Sequence, residues 1–157
     1  NTIPYHSFFD MDVANIKKIL SRYNGYGTEA QTYGNETYEQ LLSKISAYCE
    51  LKNIDVEFYQ SNHEGCLVDR IQQGYFDKVD GIVINPGAYT HTSIAILDAL
   101  KSVNIPAVEV HISKLEERED FRQISYIRMA CFKTISGKGT DGYLEDMDIL
   151  LERGKKS

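Results

Sequence analysis

The sequence predicts an α/β fold, a doubly wound parallel sheet with helices on both faces. Strand-like segments alternate with amphipathic stretches of about ten residues, the pattern of βαβ units. The run Gly81-Ile82-Val83-Ile84-Asn85 is apolar without polar alternation, which is how a strand buried on both faces reads. The 157 residues are 42% hydrophobic and 25% charged, the balance of a single globular domain with a core of its own.

Taken in chain order, residues 12–20 read as a helix, with Val13, Ile16, Ile19 and Leu20 as its apolar stripe. Residues 23–34 are rich in Gly, Asn and Tyr and read as a loop. A doubly wound sheet needs a first strand in this region, and the candidates are residues 2–9 and the short stretch 17–20. Tyr38, Leu41, Leu42, Ile45 and Cys49 then fall at helical spacing after an N-cap at Asn35 or Thr37. Val56, Phe58 and Tyr59 mark the next strand. Leu67, Val68 and Ile71 mark the next helix, with Gly74 near its end. The strand at 81–85 stops at Pro86-Gly87, and Ile94, Leu97, Ala99 and Leu100 stripe the helix that follows. Residues 106–112 are again strand-like, 115–125 read as a highly charged helix, 131–136 as a strand and 141–151 as the last helix. The tail from 153 to 157 is expected to fray.

Lys and Arg number 17 against 23 Asp and Glu, a net charge of −6. That argues against a nucleic-acid binder or an anionic-membrane binder, each of which needs a basic face. It leaves room for an anionic small molecule, which needs only a local positive pocket. No apolar run reaches roughly 18 residues, and the first ten residues lack the pattern of a signal peptide. Cys49, Cys66 and Cys131 are an odd number without a CxxC pair. They read as buried thiols in a reducing compartment, so the expected location is cytoplasmic.

In open α/β sheets ligands bind beyond the carboxyl ends of the strands. Here those ends deliver Gln60-Ser61-Asn62-His63-Glu64, then Asn85 to Ser93 with His91 among them, then Glu109, His111 and Ser113. Some of these have plain structural uses: His63, Glu64, Thr92 and Ser93 suit helix caps. Glu109 and His111 lie two apart on a strand and so share a face. A carboxylate and an imidazole buried together at a strand end point to acid–base chemistry. Arg118 and Arg122, four apart, suit either a ligand or ion pairs with Glu117, Glu119 or Asp120. No dinucleotide fingerprint and no Walker loop is present. Gly137-Lys138-Gly139-Thr140 reads as a turn, and the four histidines (His6, His63, His91, His111) show no metal-binding spacing.

Four strings occur in order: Phe58-Tyr-Gln-Ser-Asn-His-Glu-Gly65, Ile84-Asn-Pro-Gly-Ala-Tyr-Thr-His-Thr-Ser93, Val108-Glu-Val-His-Ile-Ser113 and Arg118-Glu-Asp-Phe-Arg122. With them the chain resembles type II 3-dehydroquinate dehydratase, from about Tyr33 to Tyr143. The resemblance implies a flavodoxin-like domain, assembled as trimers and commonly as a dodecamer. It also implies removal of water from 3-dehydroquinate in the shikimate or quinate pathway, the former serving aromatic amino acid biosynthesis, with no metal or cofactor. By the same resemblance Tyr33 is the base that takes the C2 proton. His111 protonates the departing hydroxyl, and Glu109 orients it. Asn85 and the backbone N–H groups of Ile112 and Ser113 hold the substrate carboxylate, His91 and Arg122 bind the ring hydroxyls, and Asp98 reaches a neighbouring subunit's site.

The chemistry accounts for these residue types. Taking a proton alpha to a ketone builds an enolate, which requires a base and a group that stabilises the oxyanion; loss of hydroxide then requires an acid. A tyrosine of ordinary pKa is only about 0.1% ionised near neutrality, and the family answers with a lid arginine upstream of the tyrosine. At this point the chain departs from the pattern. Residues 21–32, Ser-Arg-Tyr-Asn-Gly-Tyr-Gly-Thr-Glu-Ala-Gln-Thr, contain neither the family's Asn-Gly-Pro-Asn-Leu-Asn loop nor its Arg-Glu-Pro lid. Thr28 or a gap stands in the place of the lid arginine, with Arg22 as a substitute, and Leu97 stands where many members have arginine. Residues 1–32 are thus an atypical N-terminal segment and lid. The expectation is a dehydratase of weakened activity; the alternative is a non-catalytic member that binds a quinate-like cyclic polyol carboxylate.

Overall fold

The computed structural model describes residues 5–11 and 38–155. Its elements are β1 (Tyr5–Met11), α1 (Tyr38–Leu51), β2 (Ile54–Tyr59), α2 (Glu64–Phe76), β3 (Gly81–Asn85), α3 (Ile94–Val103), β4 (Ala107–His111), β5 (Lys133–Ser136) and α4 (Asp141–Lys155). The strands form one sheet in the order β2-β1-β3-β4-β5, and every pairing is parallel. The chain winds outward from β1 to β2, crosses back over β1 to β3, and continues to β5, which is the doubly wound topology. The first strand thus overlaps the 2–9 candidate and sits in the sheet interior, in register with β2 from Tyr5↔Ile54 and with β3 from Ser7↔Gly81. The helix expected at 12–20, the loop at 23–34, Arg22, Thr28 and Tyr33 lie outside the described residues.

Strand parity separates two cores. Val83, Val108, Val110 and Ile112 face α1 and α4 and pack with Leu41, Ile45, Tyr143 and Met147. Ile82, Ile84 and Ala107 face the other way, with Leu67, Ile71, Ile96 and Leu100 of α2 and α3. Every residue of β3 and β4 is buried, as expected of strands covered on both sides. Each aliphatic side chain so buried contributes about 1.5–3 kcal/mol. On α3 the buried residues are Ile96, Leu97, Ala99, Leu100 and Val103; Ser93 caps it by accepting the Ile96 N–H at 2.9 Å, and Asn104 ends it at φ 53°. Gly137, at φ 75°, makes the turn after β5, where a Cβ would lie 2.2 Å from Lys114 Cγ.

Three expectations are corrected. Residues 115–125 do not form an α-helix: short 3₁₀ turns at Leu115–Glu117 and Asp120–Arg122 are separated by extended backbone at Arg118 and Glu119. Leu115 is buried, but Phe121 and Ile124 are exposed. The helix-favouring Glu and Arg residues therefore have no apolar stripe to anchor a helix. Cys66 is exposed; Cys49 alone is fully buried, with Cys131 half-buried. The last helix runs to Lys155, so the tail is helical at 153–155, where the Arg153 guanidinium lies 4.2 Å from the centre of the Phe132 ring.

Asp146 of α4 is fully buried, and among the described residues neither carboxyl oxygen has a hydrogen-bond partner. Burial, with the charges of Glu145 and Glu109 adding to it, raises its pKa from 3.8 to about 9. The side chain is therefore a neutral acid at neutral pH. Its folded value lies above its unfolded one, so the folded chain keeps a proton that the unfolded chain releases. Stability from this group must then fall as pH rises from about 4 toward 9. The melting temperature should drop between pH 5 and 8, and Asp146→Asn should flatten that slope. Thermal unfolding followed by circular dichroism checks this; an unchanged slope in the variant would refute the buried neutral acid.

Candidate active site

The central feature lies at the carboxyl end of β4. Glu109 has 0% of its surface exposed and His111 6%. His111 Nε2 is 2.7 Å from Glu109 Oε1. Ser125 Oγ donates to the same oxygen at 2.6 Å, Thr134 Oγ1 donates to Oε2 at 3.1 Å, and Arg128 Nε lies 3.9 Å from Oε2. Burial pushes the Glu109 pKa up, but the hydrogen bond and charge of His111 and the two hydroxyls outweigh it and hold the carboxyl below its ordinary value. An ionised carboxylate has no proton to give, so the hydrogen between the two side chains belongs to His111 Nε2. That leaves Nδ1 as the working nitrogen, a lone pair on the neutral ring and an acid on the protonated one.

The other predicted residues surround the same sheet edge. Asn85 ends β3 with 8% exposure. Its Oδ1 accepts the Gly87 N–H at 3.1 Å and its Nδ2 donates to Tyr143 Oη at 2.8 Å. One Nδ2 hydrogen remains for a ligand. The 3₁₀ turn Gly87–His91 carries His91, whose Nδ1 donates to the Ile124 carbonyl at 2.6 Å, so Nε2 is its free nitrogen. Ile112 is buried and Ser113 half-buried, directly after β4. Arg118 and Arg122 both turn to Glu119: Nε to Oε2 is 3.6 Å for Arg118 and 2.9 Å for Arg122. Of the two expectations, ion pairing describes them as they stand, although Arg118 also donates to Ser113 Oγ at 3.4 Å. Asp98 is exposed in the second turn of α3. Among the described residues no cluster of His, Cys, Asp and Glu is arranged to hold a metal ion.

Residues 23–151 match the sequence profile of the Dehydroquinase class II family. This chain belongs to that family. It is 53% identical over 124 residues to the 3-dehydroquinate dehydratase of Caldicellulosiruptor bescii, covering 79% of this chain and 86% of that one. It is 47% identical over 129 residues to that of Lachnospira eligens, covering 82% and 88%. The crystal structure of the type II dehydroquinase from Butyrivibrio crossotus superposes with a TM-score of 0.84 at 47% identity, over 94% of this chain and 97% of that one. The one from Propionibacterium acnes gives 0.83 at 30% identity, over 97% and 99%. The flavodoxin-like fold implied by the sequence resemblance is the fold of these dehydroquinases.

Several residues of this family member's site escaped the sequence reading. Thr134 reaches Glu109 because the two are partners in the β4–β5 register, and Ser125 and Arg128 arrive from the loop between those strands. Only the predicted strand at 131–136 hinted at Thr134, and the hint needs the register to become specific. Tyr143 likewise meets Asn85 across 58 positions of sequence. Tyr143→Phe would keep the ring in the core and take the phenol acceptor from Asn85 Nδ2. It should cost about 1–3 kcal/mol of stability, the penalty for an unsatisfied buried donor, measured by urea denaturation. A loss below about 0.3 kcal/mol would mean that water replaces the phenol.

Proposed function

We infer that this chain removes water from 3-dehydroquinate to give 3-dehydroshikimate through an enolate. Tyr33 takes the C2 proton, and His111, oriented by Glu109, protonates the departing hydroxyl from Nδ1. The observation that carries the reading is the buried, ionised Glu109 behind His111 at the carboxyl end of an interior strand. A protein that only held a cyclic polyol acid would have no need of a carboxylate in the core, where it is costly without partners. Asn85 with the N–H groups of Ile112 and Ser113 takes the substrate carboxylate, and charge-assisted hydrogen bonds there are individually strong. His91 presents Nε2 to a ring hydroxyl, and Arg122 does the same by sharing its guanidinium with Glu119. We further propose that the protein works in the cytoplasm as trimers, four of which make a dodecamer. Asp98, exposed on α3, then reaches a neighbouring subunit's site, and the exposed Phe121, Ile124 and Met129 are covered by that assembly.

The test is formation of 3-dehydroshikimate, followed by its enone absorbance. His111→Asn should lower kcat by about 10²–10⁴, the worth of a positioned proton donor, with much less effect on KM. Tyr33→Phe should abolish turnover. Full activity in His111→Asn would remove the histidine from the mechanism, and an inactive parent chain that still bound quinate would favour a binding role. Light scattering should give a mass of three chains or a multiple of three; a monomer at micromolar concentration would reject the assembly.

A further inference from the structure

We propose that Ser125 and Thr134 are positioning residues that hold the Glu109 carboxylate in one orientation and so keep His111 in the tautomer with hydrogen on Nε2. The inference rests on the reading of Glu109 and His111 given above and extends it to two residues on separate segments of the chain. Each carboxylate oxygen is anchored from a different side. Oε1 is shared by His111 Nε2 and Ser125 Oγ, and Oε2 takes Thr134 Oγ1. The Ser125 hydroxyl has little freedom. Its oxygen accepts the Arg128 N–H at 3.1 Å, which turns its single hydrogen toward Glu109. The Thr134 side chain stands beside Glu109 in the parallel register of β4 and β5, so the sheet itself sets its height. With both oxygens tied, the carboxylate cannot rotate away from the imidazole, and its acceptor lobe on the His111 side stays filled by Nε2–H.

The remaining groups that face Glu109 do not compete. Arg128 Nε, from the 3₁₀ turn Ile127–Ala130, approaches only to 3.9 Å. Cys131 and Asp146 also interact with the carboxylate, but burial above all keeps both protonated near neutrality. The tautomer therefore depends on the hydroxyl pair more than on any other charge. Without it, Glu109 would be free to turn, both tautomers would be populated, and part of the protein would present Nε2 rather than Nδ1 to the substrate.

Two measurements on the same variants test this. Thr134→Val is nearly isosteric and removes one hydroxyl; Ser125→Ala removes the other; Thr134→Ser restores the hydroxyl on a smaller side chain. In the protein without substrate, ring ¹⁵N shifts of His111, assigned by loss of its signals in His111→Asn, should report Nε2–H in the parent and in Thr134→Ser. They should report a mixture of tautomers in Thr134→Val and Ser125→Ala. In the dehydratase assay the two defective variants should lose about 10-fold in kcat, part of the donor's contribution, with KM within about two-fold. The acid limb of their pH profile should move up, because a lost hydrogen bond to the carboxylate disfavours its charged form. Thr134→Ser should recover both. An unchanged tautomer and an unchanged pH profile in both Thr134→Val and Ser125→Ala would overturn the proposal, as would a Thr134→Ser variant no better than valine. A tautomer shift in Thr134→Val and Ser125→Ala when the parent chain itself lacks dehydratase activity would uphold the positioning role while removing the reaction, so the two readings fail separately.

Discussion

A carboxylate withdrawn from water keeps its charge only where hydrogen bonds and a cation replace the lost hydration. Glu109 is in that position in the middle of β4, and much of the upper sheet is arranged around it. Its partners come from its own strand, from the loop after it and from β5, so the carboxylate is satisfied only once those segments have docked together. The short edge strand β5 and the 3₁₀ turn Ile127–Ala130 thus have a use beyond closing the sheet. They bring Thr134, Ser125 and Arg128 to a buried carboxylate that would otherwise have His111 alone among the described residues.

Asp146 provides the contrast within the same molecule. It is as buried as Glu109, but no donor among the described residues reaches it, and its proton stays on. Two carboxyl groups close enough to feel one another take opposite protonation states because their surroundings differ, one supplied with hydroxyls and an imidazole and the other with no donor among the described residues. The separation is useful near an acid–base site. A second negative charge beside Glu109 would pull on the His111 proton, and the neutral Asp146 does not. Cys131 fits the same pattern: burial first, then the neighbouring acids, keep its thiol from ionising.

The residues assigned to substrate divide by how firmly the fold holds them. Asn85, Glu109 and His111 stand on interior strands with both faces covered, so their positions are set by the sheet. His91, Ser113 and Arg122 belong to loops and turns, held by local contacts such as the His91–Ile124 and Arg122–Glu119 pairs. Rigid strand ends ringed by loops that can adjust to a ligand are a common division of labour in α/β proteins.

From the sequence alone, the parallel sheet, the two-sided burial of β3 and β4, the helices α1 to α4 and the pairing of Glu109 with His111 were all legible. Each rests on a local period: apolar runs for buried strands, three- and four-residue spacing for helices, and a two-residue step that puts side chains on one face. The first strand was only weakly legible, since Tyr5–Met11 contains His6, Ser7 and Asp10 and lacks the apolar run of its neighbours; its place between β2 and β3 comes from pairing. The charged stretch at 115–125 was misread because propensity favours a helix there, whereas the packing offers no surface to stabilise one. Tertiary structure alone decided the partners of the buried charges. Ser125 and Thr134 lie 16 and 25 positions from Glu109, and Tyr143 lies 58 from Asn85. Contacts of that kind follow from strand register and helix docking, which no local pattern encodes. The same holds for Asp146, whose retained proton follows from its burial without a donor among the described residues where α4 comes to rest.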